Sequence, residues 1–240
     1  MIGSRRLLLA GVAALAVAVA AGSATYLLAR QSTAAAGQAP RPSGIPAGIS
    51  TRLANLMVLS PLPRQAAPEF TLTDQNGHAV SLPDLRGKVV VLEFLDPHCT
   101  DICPIVSREF RKAYHDLGPL AGKVVFAGIN VNPYHHGVRD VLAFSREQQL
   151  TTIPGWHYLT GPVPALRQAW HGYHIAVNAP NRDADVQHTS AVYIIDPQGR
   201  ERFLASPEVD HTRSGASYLP ASQQDAWGRG LAALARSLVQ

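Results

Sequence analysis

The chain predicts an α/β protein: a central sheet whose core strands run parallel, with helices on both faces. Three observations carry the prediction. Lys88 to Leu95 (KVVVLEFL) is an almost unbroken apolar run of strand length, the pattern of a strand covered on both faces. A helical segment and a second apolar run, Lys123 to Val131, follow it, so strand and helix alternate at the scale of a parallel sheet. A cysteine pair falls where the first of these strands ends, the place where open α/β sheets put their chemistry.

The elements follow in order from near Pro68. Phe70 to Thr73 and Ala79 to Leu82 flank Asp74-Gln75-Asn76-Gly77-His78, and Asn-Gly is a strong hairpin signal. After the first core strand, Pro104 to Leu117 has helical spacing anchored by Ile105, Phe110 and Leu117. The second strand is followed by a helix over Val138 to Gln149, an extended piece from Trp156 to Leu159, and a helix over Pro164 to His174. Thr189 to Ile195 reads as a strand that turns at Gln198-Gly199 into Arg202-Phe203-Leu204. Pro220 to Val239 closes the chain as an amphipathic helix with Trp227, Leu231, Leu234 and Leu238 on one stripe.

Ahead of this domain the composition changes. Leu7 to Ala29 runs 23 positions without a charge, and a helix needs about 20 such residues to span a bilayer core. Arg5 and Arg6 favour an N-terminus retained in the cytoplasm, with the rest exported. The competing reading is a cleaved signal peptide, whose apolar region usually spans ~7–15 residues. Both readings put the folded domain on the extracytoplasmic side of the cell membrane, where disulfides persist. Residues 30–65 carry Pro40, Pro42, Pro46, Pro61 and Pro63 among Ala, Gly, Gln and Ser, and read as a mostly unstructured tether with an apolar patch, Leu53 to Leu59, that docks. The expected organisation is thus a membrane segment over 1–29, a linker over 30–65 and one domain over 66–240.

The formal charge of +4 belongs to the N-terminal part. Residues 1–65 hold six arginines and no acid, so residues 66–240 carry 15 basic and 17 acidic side chains. A domain at −2 gives no electrostatic footprint for nucleic acid.

Cys99 and Cys103 are the only cysteines. Four residues apart at a helix start, they share one face, and the helix N-terminus favours the thiolate, the form that attacks disulfides and binds metal. The usual redox spacing is Cys-x-x-Cys; the extra residue suits a chelate as well as a disulfide. A further soft-metal donor, His188, stands 89 residues on, beside a strand. On residues alone the pair is a redox couple, a metal clamp, or both.

The segment Phe94-Leu95-Asp96-Pro97-His98-Cys99-Thr100-Asp101-Ile102-Cys103-Pro104 resembles the Cys-x-x-x-Cys-Pro signature of the Sco copper chaperones. Asp185 to Gly199, DVQHTSAVYIIDPQG, resembles that family's histidine-strand-turn segment, and Leu159-Thr160-Gly161 with the helix after it resembles the middle region. The resemblance spans about residues 66–206 plus the terminal helix. It implies a thioredoxin-like mixed sheet with an N-terminal β-hairpin extension, and one copper ion on Cys99, Cys103 and His188. The implied role is delivery to the dinuclear copper site of cytochrome c oxidase. Two thiolates and an imidazole suit Cu(I) and also hold Cu(II); zinc, with a water as fourth ligand, is the weaker expectation. The implied partners are the copper subunit of the oxidase or another copper acceptor, and a thiol reductant, since only the reduced pair binds metal. The rival function is a thiol–disulfide oxidoreductase with Cys99 and Cys103 as its redox pair, keeping copper-site cysteines reduced. A storage role has no methionine-rich reservoir to support it, Met1 and Met57 being the only methionines.

Two segments depart from the family pattern. Asp96-Pro97 replaces an aromatic-threonine pair, and Asn130-Val131-Asn132-Pro133-Tyr134-His135-His136 replaces a segment that usually carries an aspartate. Of the remaining histidines, His98 is expected to point away from the pair, His135 and His136 to form a solvated loop or line the rim, and His171 and His174 to share one helix face. Glu93 breaks the first strand's apolar run. It reads either as a solvent-reaching position near the sheet edge or as a partly buried acid under the thiols that relays a proton.

Overall fold

A computed structural model describes residues 43–207, 209–215 and 217–239. The first half contains helix α1 (Thr51–Leu56), strand β1 (Ser60–Pro61), hairpin strands β2 (Thr71–Thr73) and β3 (Ala79–Ser81), strand β4 (Val89–Leu95) and helix α2 (Ile102–Leu117). Next come β5 (Val124–Asn130), α3 (Val138–Glu147), β6 (Trp156–Leu159) and α4 (Val163–Gly172). The short pair β7 (Val177–Asn178) and β8 (Gln187–His188) precedes β9 (Val192–Ile195) and β10 (Glu201–Ala205). A second short pair, β11 (Asp210–His211) and β12 (Ser217–Tyr218), leads to helix α5 (Ala221–Arg236).

The main sheet has the order β1-β10-β9-β4-β5-β6. Strands β4, β5 and β6 are parallel, as the alternating pattern predicts, whereas β9, β10 and β1 add antiparallel neighbours on the other side of β4. All seven residues of β4 are buried. Because side chains alternate along a strand, Val89, Val91 and Leu95 join one core with α2, α3 and α5, and Val90, Leu92 and Phe94 join the other with the β2–β3 hairpin and α4. The stripe predicted on α5, Trp227, Leu231, Leu234 and Leu238, is buried throughout. Helices α2 and α5 approach closely at Gly228, where an added Cβ would lie 2.5 Å from Lys112 Cγ and 3.2 Å from the Glu109 carbonyl oxygen.

The hairpin turn is organised by Asp74, whose Oδ1 accepts from the N–H groups of Asn76 (2.8 Å) and His78 (2.9 Å), while Gly77 supplies the positive φ. Its neighbour Gln75 reaches the outer edge of β6: Nε2 donates to the Trp156 carbonyl (3.1 Å), and Oε1 accepts from the Tyr158 N–H (2.7 Å). At the opposite edge, β1 covers β10 through Ser60 and Pro61.

Three expectations need correction. The tether does not reach residue 65: α1 and β1 lie inside that range, and Ile49 and Met57 are fully buried against the core containing α5. The apolar patch does dock, and it takes its proline-rich surroundings with it. Glu93 is on a central strand rather than near an edge, with 1% of its surface exposed, on the α2 side of the sheet. His171 and His174 do not share a helix face, because α4 ends at Gly172 and His174 adopts a left-handed backbone conformation beyond it. The expected membrane segment lies outside the described residues; among the described residues no helix is long and apolar enough to cross a membrane.

Candidate metal and thiol site

Strand β4 delivers the chain to the site, and the turn after it is held by Asp96, whose Oδ1 accepts from the His98 N–H (2.9 Å) and whose carbonyl accepts from the Cys99 N–H (3.1 Å). Cys99 therefore sits just before α2 and Cys103 in its first turn. The Cys99 sulfur receives the Cys103 N–H at 3.4 Å, so it satisfies a backbone donor that a helix N-terminus otherwise leaves unpaired. Asp101, the residue preceding α2, makes no cap bond and is instead bound by the Ser217 N–H (2.9 Å) and hydroxyl (2.8 Å), tying β12 to the same corner.

The two sulfurs are unequal. Cys99 is half-buried and Cys103 is 2% exposed. Hydrogen bonding from the Cys103 thiol pulls the Cys99 thiol down to about 7, aided by the backbone N–H groups of Cys103 and Asp101 against the opposing effect of burial. The same bond, with burial and the charge on Cys99, pushes Cys103 well above the ordinary thiol range. At neutral pH the pair is thus a thiol hydrogen-bonded to a partly ionised partner, with the reactive sulfur outermost.

His188 lies on β8 across a cleft of about 390 Å³ whose lining includes Asp96, Cys99, Cys103, Gln187, His188 and Ser190. Its Nδ1 is 3.0 Å from the Thr189 carbonyl oxygen, which can only accept, so Nδ1 carries the proton and Nε2 keeps its lone pair. Burial also lowers the pKa of the ring, against the Thr189 bond and the Asp96 charge, which keeps the imidazole neutral and ligand-ready. The fold therefore brings all three sequence-predicted residues to one cleft. Among the described residues, the trio of donors already drawn within 4.8 Å of one another is a different one, His98, His135 and Asp140.

Below the thiols the site has acidic groups. Burial pushes the Glu93 carboxyl up to about 8, with only partial relief from the Phe94 and Ala191 N–H groups and from Ser190, whose hydroxyl lies 3.4 Å from Oε1. Glu109 on α2 is fully buried with neither oxygen hydrogen-bonded among the described residues; burial first, and the Glu93 charge second, push its pKa well up. Sequence reasoning found Glu93 because it interrupts an apolar run. It missed Glu109, although two helical turns from Ile102 it falls on the same face as the buried Val106 and Phe110. Asp96 stood out in the sequence only as a departure from the family pattern, with nothing to indicate that its bonds knit the site.

A cysteine pair of unequal acidity facing a neutral imidazole, on a mixed sheet covered by helices, defines a thioredoxin-like thiol protein fitted for disulfide exchange or soft-metal binding. Comparison with known proteins narrows this: residues 60–216 match the SCO1/SenC family model, and the chain belongs to that family. It is 34% identical over 147 residues to the human mitochondrial Protein SCO2 homolog, covering 57% of this chain and 53% of that protein, so it spans about half the length of this relative. Bradyrhizobium japonicum ScoI, solved with copper bound, is 25% identical with a TM-score of 0.53, over 72% of this chain and 99% of that one. BsSco, solved in a study of a disulfide switch and described as a member of the Sco family of cytochrome c oxidase assembly proteins, shares the fold at 21% identity and a TM-score of 0.53, over 73% and 97% of the two chains.

Proposed function

We propose that this protein binds one copper ion through Cys99, Cys103 and His188 and donates it to the dinuclear copper site of cytochrome c oxidase. The observation that carries the reading is the cleft in which two sulfurs, one already partly ionised, face a histidine whose Nε2 is held unprotonated. Soft thiolates with one imidazole match copper in both oxidation states. Three protein ligands leave an open position, which a carrier needs in order to pass its ion to an acceptor. Residues 7–29 would anchor the chain by a single span, with the folded domain on the extracytoplasmic side.

Coordination would deprotonate Cys103 and draw β8 towards α2, because metal–ligand bonds of ~2.0–2.3 Å are shorter than the separations in the open cleft. Anaerobic titration of the reduced protein with Cu(I) and Cu(II) tests the reading. One equivalent should bind, with a sulfur-to-copper charge-transfer band for Cu(II), and His188→Ala should lower the affinity at least tenfold. A reduced protein that binds no copper overturns it.

The unequal thiols also favour a second reading, a thiol–disulfide oxidoreductase that keeps the cysteines of a copper site reduced. Cys99 as a nucleophile with a pKa near ambient pH, backed by a buried Cys103 to resolve the mixed disulfide, is the arrangement such exchange requires. Exchange activity that survives His188→Ala intact, in a protein whose copper retention is unimportant for oxidase assembly, would select it.

A further inference from the structure

We propose a second metal site, made by His98, His135 and Asp140 and suited to a borderline divalent ion such as Zn(II) or Cu(II). One ligand atom from each of the three lies within 4.8 Å of the others. The His98 and His135 rings stack with centroids 3.7 Å apart and an interplanar angle of 26°; because each lone pair lies in its ring plane, joint ligation requires the exposed His98 ring to turn out of this stack. Among the described residues no hydrogen bond engages a ring nitrogen of either. Asp140 uses one oxygen to accept the Gly137 N–H (3.0 Å) at the start of α3 and has the other to offer. Two imidazoles and a carboxylate are the donor set of divalent zinc, copper and nickel, in contrast to the thiolate-dominated cleft next door.

The loops that present these ligands are fixed from beneath. Asp96 Oδ1 accepts from both the His98 N–H and Asn132 Nδ2, each at 2.9 Å, and so joins the turn after β4 to the loop after β5. Asn132 Oδ1 in turn accepts the His135 N–H (3.0 Å), while Asn130 Nδ2 donates to the His135 carbonyl (2.9 Å). Asp96, Asn130 and Asn132 are all buried. A buried polar layer that orients exposed ligands is what a metal site requires beyond the ligands themselves. It also gives one physical account of the two segments that depart from the family pattern: Asp96-Pro97 and Asn130 to His136 are hydrogen-bonded to each other through Asp96 and Asn132, the second segment carries His135, and the first leads directly into His98.

Donors around a tetrahedral ion with bonds of ~2.0–2.1 Å stand about 3.3 Å apart. Each pair of donors needs to close by at most about 1.5 Å to reach that spacing, and the His98 side chain, being exposed, is free to turn towards the other two. His98, His135 and Asp140 are all absent from the lining of the Cys99–His188 cleft, so the two sites share no ligand. An ion here would clamp the residue preceding Cys99 to the N-terminus of α3.

The test removes the thiolates, so its outcome is separate from that of the copper reading. In the full chain carrying Cys99→Ser and Cys103→Ser, calorimetric titration with Zn(II) should show one equivalent bound, and Cu(II) should give an electron paramagnetic resonance spectrum with coupling to two nitrogens. Adding His98→Ala, a change at an exposed side chain, should weaken Zn(II) binding at least tenfold. Adding Asp140→Asn, which retains an oxygen to accept the Gly137 N–H, should do the same, while adding His188→Ala should leave binding unchanged. Absence of stoichiometric binding in the cysteine-free chain, or binding unaffected by His98→Ala and Asp140→Asn, would overturn the proposal.

Discussion

Replacing Glu93 with glutamine tests how the fold handles a carboxyl buried beneath its thiols. The side chain is 1% exposed, one oxygen has no partner among the described residues, and burial raises its pKa from 4.5 to about 8. Between those values the unfolded chain has released the proton and the native chain still holds it. Stability must therefore fall as pH rises, by about 1.4 kcal/mol per pH unit and about 5 kcal/mol across the whole window for this group. Its contribution is fully present below pH 4.5 and is lost by the time pH passes 8. Glutamine is nearly isosteric, does not ionise, and keeps an oxygen for Ser190. The variant should match the wild type near pH 5 to within the cost of one imperfectly bonded amide, about 1–3 kcal/mol, and exceed it clearly at pH 8. Urea unfolding of the reduced, metal-free protein at several pH values, followed by tryptophan fluorescence, measures both slopes. Equal slopes for the two proteins between pH 5 and 8 would show that Glu93 ionises normally in the fold, and the reasoning would fail. The same pair of proteins reports on catalysis of proton movement: if Glu93 relays the proton that leaves Cys103, the pH profile of disulfide formation should change in the glutamine variant.

Cys103→Ala removes the thiol that stabilises ionised Cys99, so the midpoint of Cys99 alkylation should climb from about 7 towards 9; the thiolate fraction at pH 7 then drops at least about fivefold, read as an iodoacetamide rate. Gly228→Ala should destabilise the protein by ~1–3 kcal/mol despite alanine's better helix propensity, because its Cβ would meet the Lys112 side chain and the Glu109 carbonyl at the α2–α5 crossing; an unchanged thermal midpoint would show that the helices separate freely. Asp101→Ala should cost only ~0.5–1 kcal/mol, since the bonds to Ser217 are exposed, yet it should raise amide exchange selectively around β12.

The parts of this structure legible in the sequence are those in which one segment determines its own surroundings. Strand β4 announces itself because burial on both faces leaves no room for alternation, and α5 because Trp227, Leu231, Leu234 and Leu238 recur at helical spacing. The direction of β9 was not legible: an apolar run looks the same whether its neighbour is parallel or antiparallel. Helix α1 was hidden by composition, since prolines on both sides of Leu53 masked a short segment whose burial depends on α5, more than 160 residues away. For the site, Cys99, Cys103 and His188 could be named from motif and chemistry, and they line one cleft. The neighbourhood of His98 could not. Asp140 lies 42 residues on, at the first turn of another helix, and only the packing of β4 beside β5 brings its carboxylate to two histidines. Glu109 was invisible for the same reason: a charged residue in an amphipathic helix reads as solvated until the opposing helix is in place.

The treatment of the sheet's two margins bears on how a partner can dock. Pro61 in the short strand β1 has no N–H to offer, and Gln75 occupies the peptide groups of β6 with its own amide. Among the described residues neither margin presents a free row of backbone donors and acceptors, so recognition by adding a partner's strand to this sheet is disfavoured. Under the copper-carrier proposal, an acceptor would reach the ion at the loop-rich end, where β4 and β5 finish beside His188 of β8. Any protein that engages this one there must approach the sulfurs and the histidine in the same encounter.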